Sequence, residues 1–421
     1  MASIQKKIFV YENWSMPSPN RIGILYIDSS KGRENYSFEY DARWLQTNPY
    51  AVVLDPDLSM YNGRQYAPID KSMFGLFADS SPDRWGRVLM KRREAAQAKK
   101  EERKPRELRE SDFLLGVYDE ARMGALRFKT DEEGAFLSND KDMATPPFAN
   151  LRAIEEAARV FENDENALEE KWLKQLIGPG SSLGGARPKA TVQDTDGSLW
   201  IAKFPSKHDE VDSGAWEIVV HDLAEMCGLD VPKAKLEKFS KFGSTFLVKR
   251  FDRDGDKRIH FASAMTMLGK TDGASGVDGT GYLDIVSFIK SNGAEPNKDL
   301  KELWKRIVFN MAVSNTDDHL RNHGFILTSD GWHLSPLYDV NPVPYGDELS
   351  LNVSEDDCSI NIELAIETAE YYNMSVEEAR TAAAKICETV REHWKALAIK
   401  YGINRSNIEY MNPAFSVAEN D

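Results

Sequence analysis

One feature constrains this chain more than any other: an apolar helical stripe that gives way at once to a dense polar run. Leu300, Leu303, Ile307 and Met311 recur at three- and four-residue spacing, with Trp304 and Val308 widening the same face. The spacing predicts a helix buried along that face. Directly after it come Asn315-Thr316-Asp317-Asp318-His319-Leu320-Arg321-Asn322, then a short apolar strand at 324–327 and a Ser-Asp-Gly turn. Ser335-Pro336-Leu337-Tyr338-Asp339-Val340-Asn341-Pro342 follows. A buried helix must therefore deliver a loop rich in carboxylates and amides. Asp, Asn and His are also residues of caps and turns, so by itself this cluster is compatible with nothing more than a helix end.

The length of 421 residues accommodates two or three domains or one two-lobed body. A hydrophobic content of 41% supports packed cores and argues against wholesale disorder. The formal net charge of −15 argues against a surface that coats nucleic acid, although local basic patches remain possible. Cys227, Cys358 and Cys387 lie far apart without a Cys-x-x-Cys, and read as reduced structural thiols. No stretch approaches the roughly 18 apolar residues of a membrane span, and residues 7–11 read as a strand instead of a signal-peptide core. The expectation is a soluble, cytoplasmic protein with no membrane partner.

Residues 7–11, 21–27 and 34–40 are strand candidates separated by Pro, Asn, Ser and Gly, which predicts a small antiparallel sheet in a β-rich N-terminal piece. The stretch from Phe74 to Arg87 reads as a glycine-containing turn entering a helix. It continues into the charged run 91–110, a solvated helix face or mobile segment in which interleaved Glu speaks against RNA binding. Residues 124–129 read as a closing strand, 130–148 as a surface linker, and 151–176 as a helix. Strands at 189–193 and 199–204 flank Asp194-Thr195-Asp196-Gly197, a hairpin signal. A helix at 215–227 ends at Gly228, with Pro232 beyond, and 246–252 is a further strand. The glycine-rich loop 270–281 is expected to be mobile and exposed, and 349–353 to be a short strand. Ser375 and Glu378 form a capping box opening a helix to about residue 401.

Several residues carry chemistry. Gly178, Gly180, Gly184 and Gly185, with Ser181 and Ser182 among them, let a backbone approach an anion closely. The segment is neither a Walker A loop nor a strict GxGxxG, and an ordinary flexible turn explains it equally well. Lys203 lies on an apolar strand after the hairpin, where a lysine can neutralise nucleotide phosphates. Glu217, at the start of the next helix, could pair with it or merely favour the helix dipole. Asp252-Arg253-Asp254-Gly255-Asp256 fails as an EF-hand, because glycine stands at the fourth loop position and Ser263 at the twelfth; it reads as a hairpin turn. No HExxH is present, so a zinc-protease reading lacks support. A phosphoryl-transfer site of the kinase type needs a carboxylate at the attacking hydroxyl, an amide oxygen five residues on for Mg²⁺, and a second carboxylate on a separate loop. Asp317, Asn322 and Asp339 supply that pattern. The glycine-rich loop, the strand lysine, the helix glutamate, Asp-x4-Asn and the lone Asp also follow one another in kinase order.

The same segments give the chain a resemblance to the HipA family of serine/threonine kinases, the toxins of bacterial toxin–antitoxin pairs. The resemblance rests on Ser182-Leu183-Gly184-Gly185-Ala186-Arg187-Pro188-Lys189, Ile201-Ala202-Lys203-Phe204-Pro205, residues 248–253, 315–322 and 334–339, and the N-terminal stretch 74–87. It implies Asp317 as catalytic base and Asn322 and Asp339 as Mg²⁺ ligands. It further implies Lys203, Gly184, Gly185 and Ala186 at the ATP phosphates, Lys249 and Phe251 beside the adenine, and His319 near the nucleotide. Autophosphorylation of a loop serine, Ser182 or the adjacent Ser181, is implied as an off-switch; the added charge would sit beside the nucleotide phosphates. The implied partners are an aminoacyl-tRNA synthetase as substrate, with translation arrest as outcome, and a helix-turn-helix antitoxin through which alone DNA is reached.

The expected fold is therefore α/β (α+β), two-lobed and protein-kinase-like, with a β-rich N-terminal subdomain and a mostly helical C-terminal lobe. The expected divisions are 1–130, 131–255 carrying the glycine-rich loop and ATP-binding strands, and 256–421 as catalytic lobe. The expected activity is ATP- and Mg²⁺-dependent phosphorylation of a protein hydroxyl. The alternatives are a catalytically silent nucleotide-binding co-repressor and a small-molecule kinase on a related scaffold.

Overall fold

The computed structural model describes residues 4–420 apart from 31, 49–51, 140–143, 165–175 and 177–184. It divides into two compact units, Met1–Lys207 with Arg250–Ala262 and Ile326–Asp330, and His208–Lys249 with Ser263–Phe325 and Gly331–Asp421.

In the first unit, β1 (Ile4–Glu12), β2 (Asn20–Ser30) and β3 (Arg33–Tyr40) form an antiparallel meander. After the short helix α1 (Ala42–Thr47), β4 (Gln65–Tyr66) joins the far edge. Alternation along β2 buries Gly23, Leu25 and Ile27, the period-two pattern of a sheet with one covered face, and Ile22 is buried as well where the register with β1 shifts. Gly23 is required in that strand: a Cβ there would run into the Glu39 carbonyl and the Phe38 ring. The helices α2 (Gly75–Ala78), α3 (Arg84–Lys100) and α4 (Glu110–Gly116) follow, and β5 (Leu126–Lys129) closes the sheet beside β1. Phe77 packs edge-on against Phe38 and Phe128, with centroids 5.4 and 6.2 Å apart.

The stretch 130–148 is tied down more than a linker would be, through bridges of Leu137 to Phe128 and Pro147 to Gln193. Of the helix expected at 151–176, α5 (Leu151–Asn163) is present and ends where Asp164 turns extended; residues 165–175 lie outside the described residues. The hairpin β6 (Lys189–Gln193) and β7 (Leu199–Lys203) forms with Lys189 opposite Lys203.

The second unit begins with α6 (Ser213–Met226), capped by Asp212, and the hairpin β8 (Ala234–Glu237) and β9 (Thr245–Lys249). The strand expected at 246–252 stops at Lys249, because the residues beyond serve a buried ion cluster in the first unit. Arg250 donates to the carbonyls of Ala121 (2.6 Å) and Arg122 (3.1 Å) and pairs with Asp252 (2.6 Å). Asp252 also takes Arg253 (2.7 Å) and the Gly124 N–H (2.8 Å). Burial alone would raise the Asp252 carboxyl, but the two guanidiniums hold it down at about 2. The hairpin turn expected here is present as β10 (Arg253–Asp254) and β11 (Lys257–Arg258), with β12 (His260–Ser263) after it.

Past α7 (Ala264–Met267), the helices α8 (Tyr282–Asn292) and α9 (Pro296–Ala312) build the core of the second unit. Leu300, Leu303, Trp304, Ile307, Val308 and Met311 are all fully buried, as the spacing predicts. The strand β13 (Gly324–Thr328) passes at Ile326 into the first unit; β14 (Gly331–Leu334), back in the second, precedes α10 (Ile362–Glu367) and the long α11 (Val376–Lys400), where the Ser375 hydroxyl accepts from the Glu378 N–H. Trp394 of α11 stacks on Phe415 at 4.2 Å and lies against Trp216 of α6. One expectation is corrected. Residues 349–353 form isolated bridges instead of a strand, because Glu348 meets Ser359 while Asn352 meets Gly281. The loop 270–281 is exposed at 271–273 and 277–279, as expected, and is held by that contact and by the Gly276 N–H donating to the Ser350 carbonyl (2.8 Å). No described helix is long and apolar enough to cross a membrane.

His260 is buried against Trp14, its ring stacked at 4.5 Å, and burial pushes its pKa down to about 3. The folded state therefore keeps His260 neutral while an unfolded chain protonates below about 6.5. Stability should fall by roughly 1.4 kcal/mol per pH unit from 6.5 toward 3. His260→Phe should flatten that acid limb of the urea-denaturation profile; an unchanged slope would refute the assignment.

Candidate active site

The polar loop starts at a helix stop that the sequence does not announce with glycine. Val313 caps α9 and Ser314 takes a left-handed conformation with φ 48°. The Ser314 N–H returns to Met311 and the Asn315 N–H to Asn310 (2.8 Å), a Schellman closure that satisfies the last carbonyls. The chain then alternates in and out. The Asp317 side chain is 80% exposed and that of Asp318 2%.

Asp318 collects three donors: the Tyr282 hydroxyl, the Asn310 amide at 2.7 Å and His323 Nε2 at 2.9 Å. Burial would raise its carboxyl, yet His323 and the hydrogen bonds from His323 and Tyr282 hold it below the usual range. The Asp-x4-Asn spacing singles out Asp317 and does not mark Asp318. The signal available was the His five residues after it, His323, at the entry to β13.

Asn322 turns back, its Nδ2 donating to the Asp317 carbonyl at 2.7 Å. That leaves its Oδ1 as the atom able to meet a cation, the hard oxygen donor that Mg²⁺ prefers. His319 Nε2 stands 4.0 Å from the Asp317 carboxylate. Asp339 is left-handed as well, with φ 58°, a conformation Asp and Asn tolerate better than other side-chain-bearing residues. Its segment is tied to the first loop on both sides: the Tyr338 hydroxyl donates to the Arg321 carbonyl (2.8 Å), and the Asn341 N–H to Asn315 Oδ1 (3.4 Å). The second unit thus brings Asp317, His319 and Asn322 onto one loop and fastens the Asp339 segment to it. Among the described residues, no group of three or more His, Cys, Asp or Glu could hold a metal by itself; a cation here depends on the Asn322 amide oxygen.

Lys249, half-buried, ends β9 in this unit. Lys203, Gly185, Ala186 and Phe251 belong to the first unit. Lys203 is buried at the end of β7, and Glu217 is buried in the second turn of α6 instead of standing at its exposed start. Opposite Lys203, Lys189 is buried too and pairs with Asp83 at 3.2 Å while donating to the Gly185 carbonyl at 3.0 Å. Asp83 meanwhile caps α3 through the Gly86 N–H (2.8 Å). The neutralised Lys189 removes the repulsion that two facing lysines would otherwise feel. Gly185 and Ala186 are exposed. Ser181, Ser182 and Gly184 lie outside the described residues.

A family model described as HipA-like C-terminal domain matches residues 181–394. A putative kinase, Y4mE, of Sinorhizobium fredii is 31% identical over 191 residues, 39% of this chain and 43% of that protein. The serine/threonine-protein kinase toxin HipA of Shewanella oneidensis is 26% identical over 190 residues, 38% of this chain and 43% of its own length. The chain thus spans about two-fifths of the length of the curated relatives it matches. Among solved structures, a chain from the Shewanella oneidensis toxin–antitoxin complex of HipA, HipB and operator DNA superposes with a TM-score of 0.67 at 16% identity, covering 98% of this chain and 97% of that one.

Removing one donor from a buried carboxylate leaves it under-satisfied. Tyr282→Phe should destabilise the second unit by about 1.5–3 kcal/mol, whereas Asp317→Asn, at an exposed position, should stay within about 0.5 kcal/mol. Urea denaturation of both variants checks the contrast, and equal losses would contradict it.

Proposed function

This chain belongs to the HipA family, and on that premise we propose that it is an ATP-dependent serine/threonine protein kinase. The observation that carries the reading is the loop pair of the second unit. Asp317 faces solvent, Asn322 has its amide nitrogen committed to the Asp317 carbonyl, and Asp339 is held left-handed on the fastened segment. In this reading Asp317 orients the attacking hydroxyl and accepts its proton. Asn322 and Asp339 hold Mg²⁺, which when bound offsets the charge of the nucleotide phosphates. Lys203 meets the α- and β-phosphates, with Gly184, Gly185 and Ala186 over them, Lys249 and Phe251 beside the adenine, and His319 near the nucleotide. The rate then comes from positioning and electrostatics rather than from a covalent intermediate on the protein.

The finer features belong to the same proposal: a toxin that phosphorylates an aminoacyl-tRNA synthetase, silenced by phosphate on Ser181 or Ser182, and restrained in the cytoplasm by a helix-turn-helix antitoxin that makes the DNA contact. The named Shewanella proteins support a toxin–antitoxin setting.

Asp339→Asn keeps the left-handed turn but loses the charge, and Asp317→Asn loses the base. Each should lower phosphoryl transfer by about 10²-fold or more with thermal stability nearly unchanged. Incubation with Mg²⁺-ATP and a bacterial lysate, followed by phosphopeptide mass spectrometry, is the measurement. Phosphate on Ser181 or Ser182 and on a lysate protein, absent in both variants, is the expected result. ATP binding without any phosphate transferred would overturn the kinase reading and favour a silent co-repressor; label in a metabolite alone would favour a small-molecule kinase.

A further inference from the structure

Asp318 does not face the solvent side of its loop, so it takes no part in the chemistry assigned to Asp317. Its surroundings nevertheless reach both halves of the site. Tyr282 comes from α8, Asn310 from α9 and His323 from the entry to β13, so three separate elements converge on one carboxylate. The Tyr282 and His323 rings also meet edge-on, 5.7 Å apart, which fixes both donors. From Asn310 the network continues. Its Oδ1 accepts from the Asn315 amide at 3.1 Å, and Asn315 Oδ1 in turn accepts the Asn341 N–H, two residues after Asp339. On the other flank, the His323 carbonyl accepts the Ala264 N–H at 2.9 Å and the Leu320 carbonyl the Met265 N–H at 3.2 Å, which pins the far end of the loop.

We infer that Asp318 is a positioning residue that sets the Asp317–Asn322 loop and the Asp339 segment relative to each other through the Asn310–Asn315–Asn341 chain of hydrogen bonds. The physical reason is twofold. A buried carboxylate admits few backbone arrangements, because every donor it needs must arrive with good geometry. With consecutive side chains pointing to opposite sides, seating Asp318 inward sends Asp317 outward and lets Asn322 return to the Asp317 carbonyl. The catalytic consequence rests on the kinase reading, since a displaced ligand pair matters only if the pair holds Mg²⁺. The structural coupling does not.

Asp318→Asn preserves size but replaces an acceptor oxygen and the charge with a donor. Amide hydrogen exchange by mass spectrometry should show residues 315–323 and 337–343 accelerating together by about tenfold or more, with α8 and α9 unchanged. In the same variant the half-saturating Mg²⁺ for nucleotide binding, read by calorimetry, should rise about tenfold. The kcat should fall about 10²-fold with little change in the KM for ATP. Acceleration confined to 315–323, or spread evenly over the whole second unit, would overturn the inference, as would an unaltered kcat in an active protein.

Should Asp318→Asn fail to fold, Asn315→Ala decides the matter. It cuts the side-chain link between Asn310 and Asn341 without touching the Asp318 contacts and leaves the Tyr338–Arg321 tie in place, so exchange at the Asn341 N–H must accelerate or the inference falls. A wild type that transfers no phosphate would sink the kinase reading, yet the exchange comparison would still decide the coupling. Asp317→Asn serves as control: it should abolish transfer and leave exchange at 337–343 as in wild type.

Discussion

The Asp318 carboxylate is buried in the second unit, where Tyr282, Asn310 and His323 all donate to it. An isolated carboxylate moved out of water costs several kcal/mol even after relaxation, more than most single contacts return. Each of the three donors sits on a different element, so α8, α9 and the entry to β13 must be in register before the charge is satisfied. The loop between α9 and β13 inherits its shape from that requirement. Ser314 accepts a left-handed conformation to end the helix, and Asp317 is turned outward where a reacting group can be met.

The first unit uses the same device with the charge signs distributed differently. Asp252 is wholly buried and joins residues 250–253 to the segment 121–124 through two arginines and the Gly124 N–H. Asp83 and Lys189 do likewise between the cap of α3 and the start of β6. Buried ion pairs of this kind contribute little net stability compared with an apolar replacement. Here they fix where irregular backbone lies: the turn after β9, and the Gly185 carbonyl at the end of the glycine-rich segment. Apolar packing, as in the Trp216, Trp394 and Phe415 cluster, supplies bulk stabilisation but tolerates many arrangements of the loops above it.

Regular elements with a one-sided apolar pattern were legible from the sequence. The stripe of α9, the alternation of β2 and the Ser375 cap of α11 each depend on neighbours within a few residues, and each stands where the pattern puts it. Residues 349–353 carry a strand-like alternation too, yet Asn352 spends its backbone on Thr280 and Tyr282 instead of on a strand partner. The glycines of 270–281 signalled freedom, which Gly273 and Gly279 use with φ 94° and 72°, whereas at Gly281 a Cβ would run into the Asn352 carbonyl. In both places local composition was outweighed by a contact some seventy residues distant.

The sequence by itself determined the family, the order of the polar residues, and the helix that carries them, because spacing and residue type are local properties of a chain. It offered two adjacent aspartates without distinguishing their environments. Which of them is buried was decided only by tertiary structure, since the donors that make burial tolerable come from α8, α9 and beyond β13. The same holds for Asp339, whose segment is tied to Arg321 and Asn315 by hydrogen bonds across a sequence gap that no local pattern spans. A side chain's chemistry is written at its own position, but its desolvation and its partners are set by residues elsewhere in the chain.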